Sequence, residues 1–150
     1  MKRMNKIGIL MLIVFAMSCS ASKNQNQVKM NPENKKITSV IVAFSKAGDV
    51  NNAKELSNYL DDNYRVVMNR LFGSKSVSVM SKAEYVEKIE TKVFGGDKRV
   101  VTVEQIIMNG TTAVAKVVFK GEKATFHSLM TLLKDASGRW LLVSDTPTVA

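Results

Sequence analysis

Acid–base chemistry needs ionisable side chains, and three candidates lie on predicted strands. His127 is the only histidine, and its imidazole titrates in the range of a general base near neutral pH. Glu104 and Asp145 are carboxylates that could work as a pair in general acid–base catalysis, although nothing in the sequence fixes their separation. The alternative for His127 is a place on the less buried sheet face, and for the carboxylates an ordinary surface position.

Aromatic side chains are the second group that could contact a ligand, and the candidates are Phe44, Tyr64 and Trp140. The indole ring of Trp140 can stack on a flat ligand, but it also has the bulk to close a sheet against a helix. Tyr64, like Tyr59 and Tyr85, fits a core position equally well. The choice between pocket and core therefore depends on the fold that positions these residues.

Composition excludes several classes of function. No nucleophile elbow, phosphate-binding loop or dinucleotide motif occurs, and one histidine with one cysteine makes a metal site improbable. No metal or cofactor is expected. With 45% hydrophobic and 23% charged residues among 150, the composition is that of one globular domain. The net charge of +9 would be +6 without Lys2, Arg3 and Lys6. The basic residues form no aromatic-interleaved stripe, so nucleic-acid binding is not expected.

The N-terminal segment has the pattern of a secretory signal peptide. Its basic residues precede an apolar run at residues 7–16, which is too short to span a bilayer as a helix. Ser18 and the lone Cys19 follow, and this junction resembles the cleavage site of bacterial lipoproteins. Ala16 stands where such sites usually have leucine, and the small residues Ala16 and Ser18 also fit an ordinary secretory cut.

These patterns divide the chain into three parts. Residues 1–18 are predicted to be the signal peptide, and residues 19–31 the lipidated Cys19 with a polar, flexible tether. Residues 32–150 are predicted to form the folded domain. The expected location is the bacterial cell envelope, lipid-anchored and facing the periplasm, with secretion after ordinary cleavage as the alternative.

Three helices are predicted before the last third of the chain. Asn31, followed by proline, gives a helix start, and apolar residues at helical spacing continue to Gly48. Asp49 is predicted to cap the second helix, and a short strand is expected at residues 64–71. Ser81 begins the S-x-x-E capping box of the third helix. The buried face predicted for the second helix comprises Ala53, Leu56, Tyr59 and Leu60.

The last third, residues 98–145, predicts four consecutive strands joined by tight turns. Asn109 and Gly110 form the strongest short hairpin signal. The third long strand, residues 124–133, carries apolar side chains on both faces. The helices can cover one face, and a partner subunit is predicted to cover the other because an exposed apolar sheet surface tends to be buried. We therefore expect a homodimer formed through the sheet face.

Several short motifs accompany this order of elements: Gly48-Asp49, Ala113, Leu132, Lys134, Gly138, Trp140, Leu142 and Val143. Together they resemble the nuclear transport factor two-like superfamily, and within it the group of small bacterial proteins described as putative lumazine-binding. The resemblance covers residues 37–145. It implies an α+β fold of cone shape, with three N-terminal helices packed on a curved antiparallel sheet that has a four-strand C-terminal meander. The chain departs from the group at Ser128, where an aspartate is frequent.

The resemblance also implies a pocket inside the cone, which Phe44, Tyr64 and Trp140 are expected to line. The predicted function is non-catalytic binding of a small apolar ligand, or an accessory role, by an envelope lipoprotein anchored through Cys19. One alternative is an isomerase- or dehydratase-like enzyme, since enzymes of this superfamily place acids, histidine or tyrosine inside the cone. The other is a structural lipoprotein that acts through protein interaction as a dimer.

Overall fold

The computed structural model describes residues 31–150, so the predicted signal peptide and Cys19 lie outside the described residues. No helix in the described range is long and apolar enough to cross a membrane. The elements are α1 (Pro32–Asp49), α2 (Ala53–Ser57), β1 (Leu60–Asn69), a 3-10 turn (Leu71–Gly73), β2 (Val77–Ser81), α3 (Lys82–Glu90), β3 (Val100–Asn109), β4 (Thr112–Lys120), β5 (Thr125–Lys134) and β6 (Trp140–Val149).

The six strands form one sheet in the order β2-β1-β6-β5-β4-β3. Strands β3 to β6 pair antiparallel in sequence order, whereas β1 runs parallel to β6. The predicted all-antiparallel sheet is therefore wrong, and the sheet is mixed. Register shifts leave Glu104 on β3 and Val143 on β6 without a paired residue, and such bulges bend the strands because they add twist and curvature.

Helix α1 follows from its cap and its apolar stripe. The Asn31 side chain accepts a hydrogen bond from the Glu33 backbone N–H, and Ile37, Ile41 and Phe44 are buried against the sheet. Helix α3 begins at the predicted capping box, in which the Ser81 side chain and that of the glutamate three residues later satisfy each other's backbone donors. These local signals succeed because they depend on neighbours in sequence.

The second helix departs from the prediction. Asn52 caps it instead of Asp49, since the Asp49 carboxylate accepts hydrogen bonds from Arg99. The helix stops at Ser57, and Leu60 already begins β1. A partner 50 residues away in sequence has outcompeted the local capping role of Asp49.

Trp140 closes one end of the molecule, which we call the closed pole. Its side chain is only 3% exposed, and its Nε1–H donates to Glu33 Oε2 over 2.8 Å. Lys134 Nζ lies 3.0 Å from the same oxygen. Hydrogen bonds from Lys36, Trp140 and Lys134 lower the pKa of Glu33 to about 2. Trp140 therefore joins the start of α1 to the β5–β6 hairpin.

The other end of the sheet is open, and hydrogen bonds from the Asn51 side chain to the backbone shape its edge. The Asn51 side chain donates to the carbonyl oxygens of Ile89, at 3.0 Å, and Phe94, at 2.6 Å. Gly95 has φ +80°, and a side chain there would collide with the Gly48 carbonyl. Glycine is required at such a close approach with positive φ. These hydrogen bonds hold Phe94 at this end of the molecule, which we call the open pole.

Candidate functional site

A cavity of about 380 Å³ lies at the open pole, between the helices and the inner face of the curved sheet. That volume falls within the range of small-molecule pockets. Its walls are mostly apolar, with a few polar groups. The aromatic residues that line it are Phe44, Phe72, Tyr85, Phe94, Phe119 and Phe126.

Strand register explains why these side chains meet. Phe119 on β4 pairs directly with Phe126 on β5, and Ser128 follows Phe126 on the same inner face because side chains alternate along a strand. Ser128 pairs in turn with Pro147 on β6. Asp145 lies two residues before Pro147, so it joins Ser128 at the cavity wall.

Asp145 is the chemically distinctive residue of the cavity. It is 9% exposed, and its Oδ1 has no hydrogen-bond partner among the described residues. Burial raises the pKa of the Asp145 carboxyl to about 7, while the Ser128 hydroxyl and the Arg99 charge act in the opposite direction. Near neutral pH the carboxyl is therefore partly protonated and can donate as well as accept a hydrogen bond.

Two tyrosines lie close enough to Asp145 to respond to its charge. Burial, followed by the Asp145 charge, raises the pKa of Tyr64, and the Tyr64 hydroxyl has no partner among residues 31–150. Burial likewise raises the pKa of Tyr85, which Arg99 opposes. Both phenols therefore stay neutral at physiological pH. Tyr85 lines the cavity, and its ring lies 6.1 Å from that of Phe44 and from that of Phe94.

Arg99 brings a cation to the cavity wall, but its charge is already paired. Its Nε donates to Asp49 Oδ1 over 2.6 Å, and its Nη2 donates to the Ser45 carbonyl over 3.0 Å. The guanidinium also lies 5.4 Å from the centre of the Phe119 ring, a cation–π geometry. Arg99 thus ties the end of α1 to the start of β3 and faces the cavity as a compensated charge.

The mouth of the cavity is built from two turns. Asp97 accepts hydrogen bonds from the backbone N–H groups of Glu122 and Lys123, which fixes the β4–β5 turn. On the other side, Phe72 has φ 52° in the 3-10 turn and remains 73% exposed. The centres of the Phe72 and Phe126 rings are 6.2 Å apart, and the two rings are nearly perpendicular, at 81°. An exposed aromatic in a left-handed conformation is uncommon, and here it stands at the entrance.

The structure separates the predicted site residues into three places. Phe44 and Asp145 line the cavity, whereas Tyr64 is buried beside it and Trp140 lies at the closed pole. His127 and Glu104 are exposed. His127 alternates with Phe126 and Ser128 and so faces outward.

Glu104 forms an exposed ion pair with Lys116 at 2.9 Å. The structure therefore does not bring Glu104 or His127 together with Asp145, and both occupy the exposed positions that the sequence analysis gave as the alternative. Alternation of side chains along β5 puts His127 on the outer face, and Glu104 lies at the register shift of β3. Within residues 31–150, no three His, Cys, Asp or Glu side chains lie together as a metal site would require.

Sequence reasoning missed Tyr85, Arg99 and Ser128 as cavity residues. Tyr85 was assigned to the core because its helical spacing fits both places. Ser128 could have been recognised from the sequence, because it lies two residues from Phe126 on the same strand and so faces the same side of the sheet. Arg99 carried no local signal, because its role depends on Asp49 across 50 positions.

Comparisons with known proteins agree with this architecture. A sequence model of the family described as "Putative lumazine-binding" matches residues 32–146. No curated protein matches the chain. Among solved structures, an NTF2-like protein of unknown function from Shewanella baltica is similar with a TM-score of 0.69 and 17% identity, over 79% of this chain and 94% of that one.

Two further structures show the same likeness. An NTF2-like protein from Cytophaga hutchinsonii has a TM-score of 0.66 and 18% identity, over 81% of this chain and 100% of its own. A ketosteroid isomerase-like protein from Erwinia carotovora has a TM-score of 0.61 and 16% identity, over 79% and 97% of the two chains. At such identities the likeness concerns the fold alone, which is the α+β fold named nuclear transport factor two-like.

Proposed function

The chain belongs to the family described as putative lumazine-binding, and from that premise we propose that it is a non-catalytic binding module for a small ring-bearing molecule. The observation that carries the proposal is the aromatic cavity, whose wall includes the largely buried Asp145. Apolar walls with a few convergent polar groups are typical of small-molecule sites. A ligand would bury its rings on the walls and satisfy the carboxyl.

The charged groups around the cavity favour binding over catalysis. Arg99 is held by Asp49 and a backbone carbonyl, and Asp97 is held by the β4–β5 turn. Of the two acids that line the cavity in residues 31–150, Asp145 is the one with an unpartnered carboxyl oxygen. Acid–base catalysis usually divides the roles of acid and base between two groups, whereas binding needs only one free polar group.

A cavity-blocking substitution tests this function. Ala124 lines the cavity, so Ala124→Trp should fill it and abolish binding. Native mass spectrometry of the protein purified from membranes is expected to show a bound small molecule in the wild type and none in the variant. Added lumazine, the compound in the family's description, serves as the probe in a parallel fluorescence titration.

The matched control places the same side chain outside the cavity. Val100 is exposed and does not line the cavity, so Val100→Trp should retain wild-type binding. A wild-type spectrum without any bound molecule, together with no response to lumazine, would reject the binding function. Equal binding by the Ala124 and Val100 variants would place the ligand elsewhere.

The cellular setting of the module is proposed to be the bacterial envelope, with the lipid carried by Cys19. A single acyl chain holds a protein only marginally, whereas two or more anchor it durably. Cys19→Ser should therefore move the protein from the membrane fraction to the soluble fraction. Immunoblots of both fractions, with Ser20→Ala as control, measure this, and a wild-type protein found only in the soluble fraction would support ordinary secretion instead.

A second candidate function is proton transfer at a carbon next to a carbonyl, and the pKa of about 7 at Asp145 favours it. A general base works best when its pKa lies near the operating pH. The test is deuterium uptake by 2-tetralone in D₂O, followed by NMR. Uptake that depends on the wild-type protein and disappears in Asp145→Asn supports the enzyme, and a rate equal to buffer alone rejects it for this probe class.

A homodimer is proposed through the outer sheet face. Ile107 and Leu129 are 60% and 53% exposed there, and Val114 pairs with Ile107 in register. Glu104 and Lys116 lie on the same face, so two copies related by a two-fold axis could match opposite charges around an apolar centre. Leu129→Lys should convert a dimer to a monomer in sedimentation velocity. A wild-type monomer at high concentration would reject the proposal.

A further inference from the structure

We propose that the open pole docks onto the surface of an anionic lipid bilayer. Phe72 and Val93, which we call the rim, enter the lipid, and the lysine and arginine side chains around them meet its headgroups. Docking goes beyond the proposed binding function, because it concerns what the rim contacts and not what the cavity holds. Three properties of the pole support it: an exposed apolar rim, an excess of positive charge and a tether long enough to reach.

The rim consists of two apolar side chains that are exposed at the mouth of the cavity. Phe72, in the β1–β2 turn, is 73% exposed, and Val93, in the α3–β3 loop, is 65% exposed. Both line the same cavity, although they come from distant segments. Val50 is also exposed and lies beside Asn51, whose side chain binds the Phe94 carbonyl at this pole. Exposed apolar side chains gathered at one place mark an interaction surface.

The β1–β2 turn keeps Phe72 in this exposed position. The Arg70 N–H donates to the Ser76 carbonyl over 3.3 Å, and the Ser74 N–H donates to the Leu71 carbonyl over 3.1 Å. Arg70 and Phe72 both have positive φ, at 54° and 52°. Such a conformation is uncommon for a bulky residue because the side chain crowds the backbone. The turn therefore holds an aromatic ring at the mouth of the cavity and outside the core.

The segments around the mouth carry an excess of positive charge. They are the β1–β2 turn (residues 70–76), the α3–β3 loop (residues 91–99) and the β4–β5 turn (residues 121–124). Glu122 is their one exposed acid. Their exposed cations, none of which forms a salt bridge within residues 31–150, are Arg70, Lys75, Lys92, Lys98 and Lys123.

This charge selects a lipid surface over a second copy of the chain. Two open poles that met would bring like charges together, which disfavours association. The outer sheet face differs, because its apolar side chains accompany the ion pair of Glu104 with Lys116. Basic side chains around an exposed phenylalanine are typical of surfaces that lie in the bilayer interface. Anionic headgroups attract lysine and arginine, and the apolar rim gains by leaving water.

The tether begins at the opposite end of the molecule but is long enough to allow docking. Helix α1 starts beside Trp140 at the closed pole, and its 18 residues span about 27 Å. The chain between Cys19 and Asn31 reaches at most roughly 40 Å. The proposed anchor at Cys19 therefore allows the open pole to reach the same bilayer. Without docking, the tether would leave the closed pole nearest the lipid.

Quenching of tryptophan fluorescence by brominated lipid measures which face meets the bilayer. The full chain, purified from membranes in a mild detergent, is reconstituted into vesicles of phosphatidylglycerol and brominated phosphatidylcholine. Trp140 is the only tryptophan and reports on the closed pole in the wild type. Phe72→Trp adds a reporter at the rim, and Leu129→Trp adds one at an exposed position of the outer sheet face.

The signal added by Phe72→Trp should be quenched roughly threefold more than that of Trp140 or of Leu129→Trp, because only the rim enters the lipid. Equal quenching at the three positions, or stronger quenching at Leu129→Trp, would overturn the proposal. A rim that no vesicle quenches, although the protein remains attached, would reject the lipid surface in favour of a protein partner.

The charge requirement is tested in the Phe72→Trp protein. Each lysine near an anionic surface favours the docked state about fivefold. Lys75→Gln with Lys92→Gln should therefore lower rim quenching toward the level of Trp140, as should vesicles without phosphatidylglycerol. Lys35→Gln with Lys116→Gln removes two exposed charges outside the pole and should leave quenching unchanged. Quenching that ignores the pole lysines and the lipid charge would contradict docking to an anionic surface.

Docking and cavity binding can fail separately. Lys75 and Lys92 do not line the cavity, so the variant that lacks both should bind lumazine as the wild type does. Loss of lumazine binding in that variant would overturn the separate role of these lysines. Rim quenching without any bound molecule or lumazine response would reject the binding function and leave docking supported. Lumazine binding without rim quenching would reject docking alone.

Discussion

Raising the pH from 5 to 8 is expected to lower the free energy of unfolding by about 2–3 kcal/mol through Asp145 alone. The folded-state pKa of about 7 lies above the ordinary value of 3.8, because burial penalises the carboxylate. The folded protein therefore holds a proton that the unfolded chain has released between about pH 4 and pH 7. This contribution is complete below pH 4 and is lost as the pH rises through 7.

Asp145→Asn isolates this effect. The amide cannot ionise, so the variant should show a flatter pH dependence and should exceed the wild type in stability at pH 8, with little difference at pH 4. Urea denaturation at several pH values, analysed at constant m-value, measures it. Glu104→Gln, which removes an exposed carboxylate on the outer face, is the control and should leave the slope unchanged. Parallel curves for wild type and Asp145→Asn would show that Asp145 ionises normally.

The low-pH side of the stability profile has a different origin. Glu33 and Asp135 have pKa values lowered to about 2 by hydrogen bonds, chiefly from Lys36 and Ser137 respectively. Their contributions are present above the ordinary carboxylate pKa and are lost as the pH falls toward 2. The profile should therefore fall on both sides, and the two sides report different parts of the molecule.

The sequence predicted those features that depend on near neighbours. The cap of α1 at Asn31 and the capping box at Ser81 are each formed between residues only two or three positions apart in the sequence. Phe44 was placed correctly on the buried stripe of α1 because helical spacing reports burial. Helical spacing could not show whether Phe44 packs in the core or lines a cavity, because core and cavity positions share the same pattern.

The parts that failed depend on contacts between distant segments. The parallel pairing of β1 with β6 joins Val66 to Asp145, and no turn or spacing signal encodes a pairing across such a separation. Asp49 was assigned to a helix cap because its true partner, Arg99, lies 50 residues away. Contacts between distant segments therefore decide both the direction of β1 in the sheet and the partner of the Arg99 charge at the cavity wall.

Ser128 and Asp145 lie side by side at the cavity wall, on neighbouring strands. The family resemblance placed an aspartate at the position of Ser128, and its absence put the polar role of that strand in doubt. In the folded chain, Asp145 on the neighbouring strand lines the same cavity beside Ser128. A carboxyl group is thus present at this wall, and β6 supplies it.

Arg99→Met is expected to lower the free energy of unfolding by about 3 kcal/mol, because it leaves a largely buried carboxylate without its cation. The side chains of Arg99 and Asp49 are 15% and 10% exposed. In the variant, Asp49 keeps only the backbone N–H of residue 99 at 3.0 Å, and the Ser45 carbonyl loses its donor. Thermal or urea denaturation measures the loss.

The control and the double variant show whether the pair itself is responsible. Arg139→Met breaks an exposed pair with Asp135 and should change stability far less, since exposed pairs contribute little. Adding Asp49→Asn to Arg99→Met should recover part of the loss, because the double variant no longer buries a lone charge. Losses that simply add would mean that packing of the arginine stem, and not the charge pair, stabilises this region.

Arg99→Met also has a consequence inside the cavity that packing alone would not produce. The Arg99 charge lowers the pKa of Asp145, so its removal should raise that pKa further and shift the loss of stability to higher pH. A variant that loses stability but keeps the wild-type pH midpoint would separate the structural role of Arg99 from its electrostatic effect on Asp145.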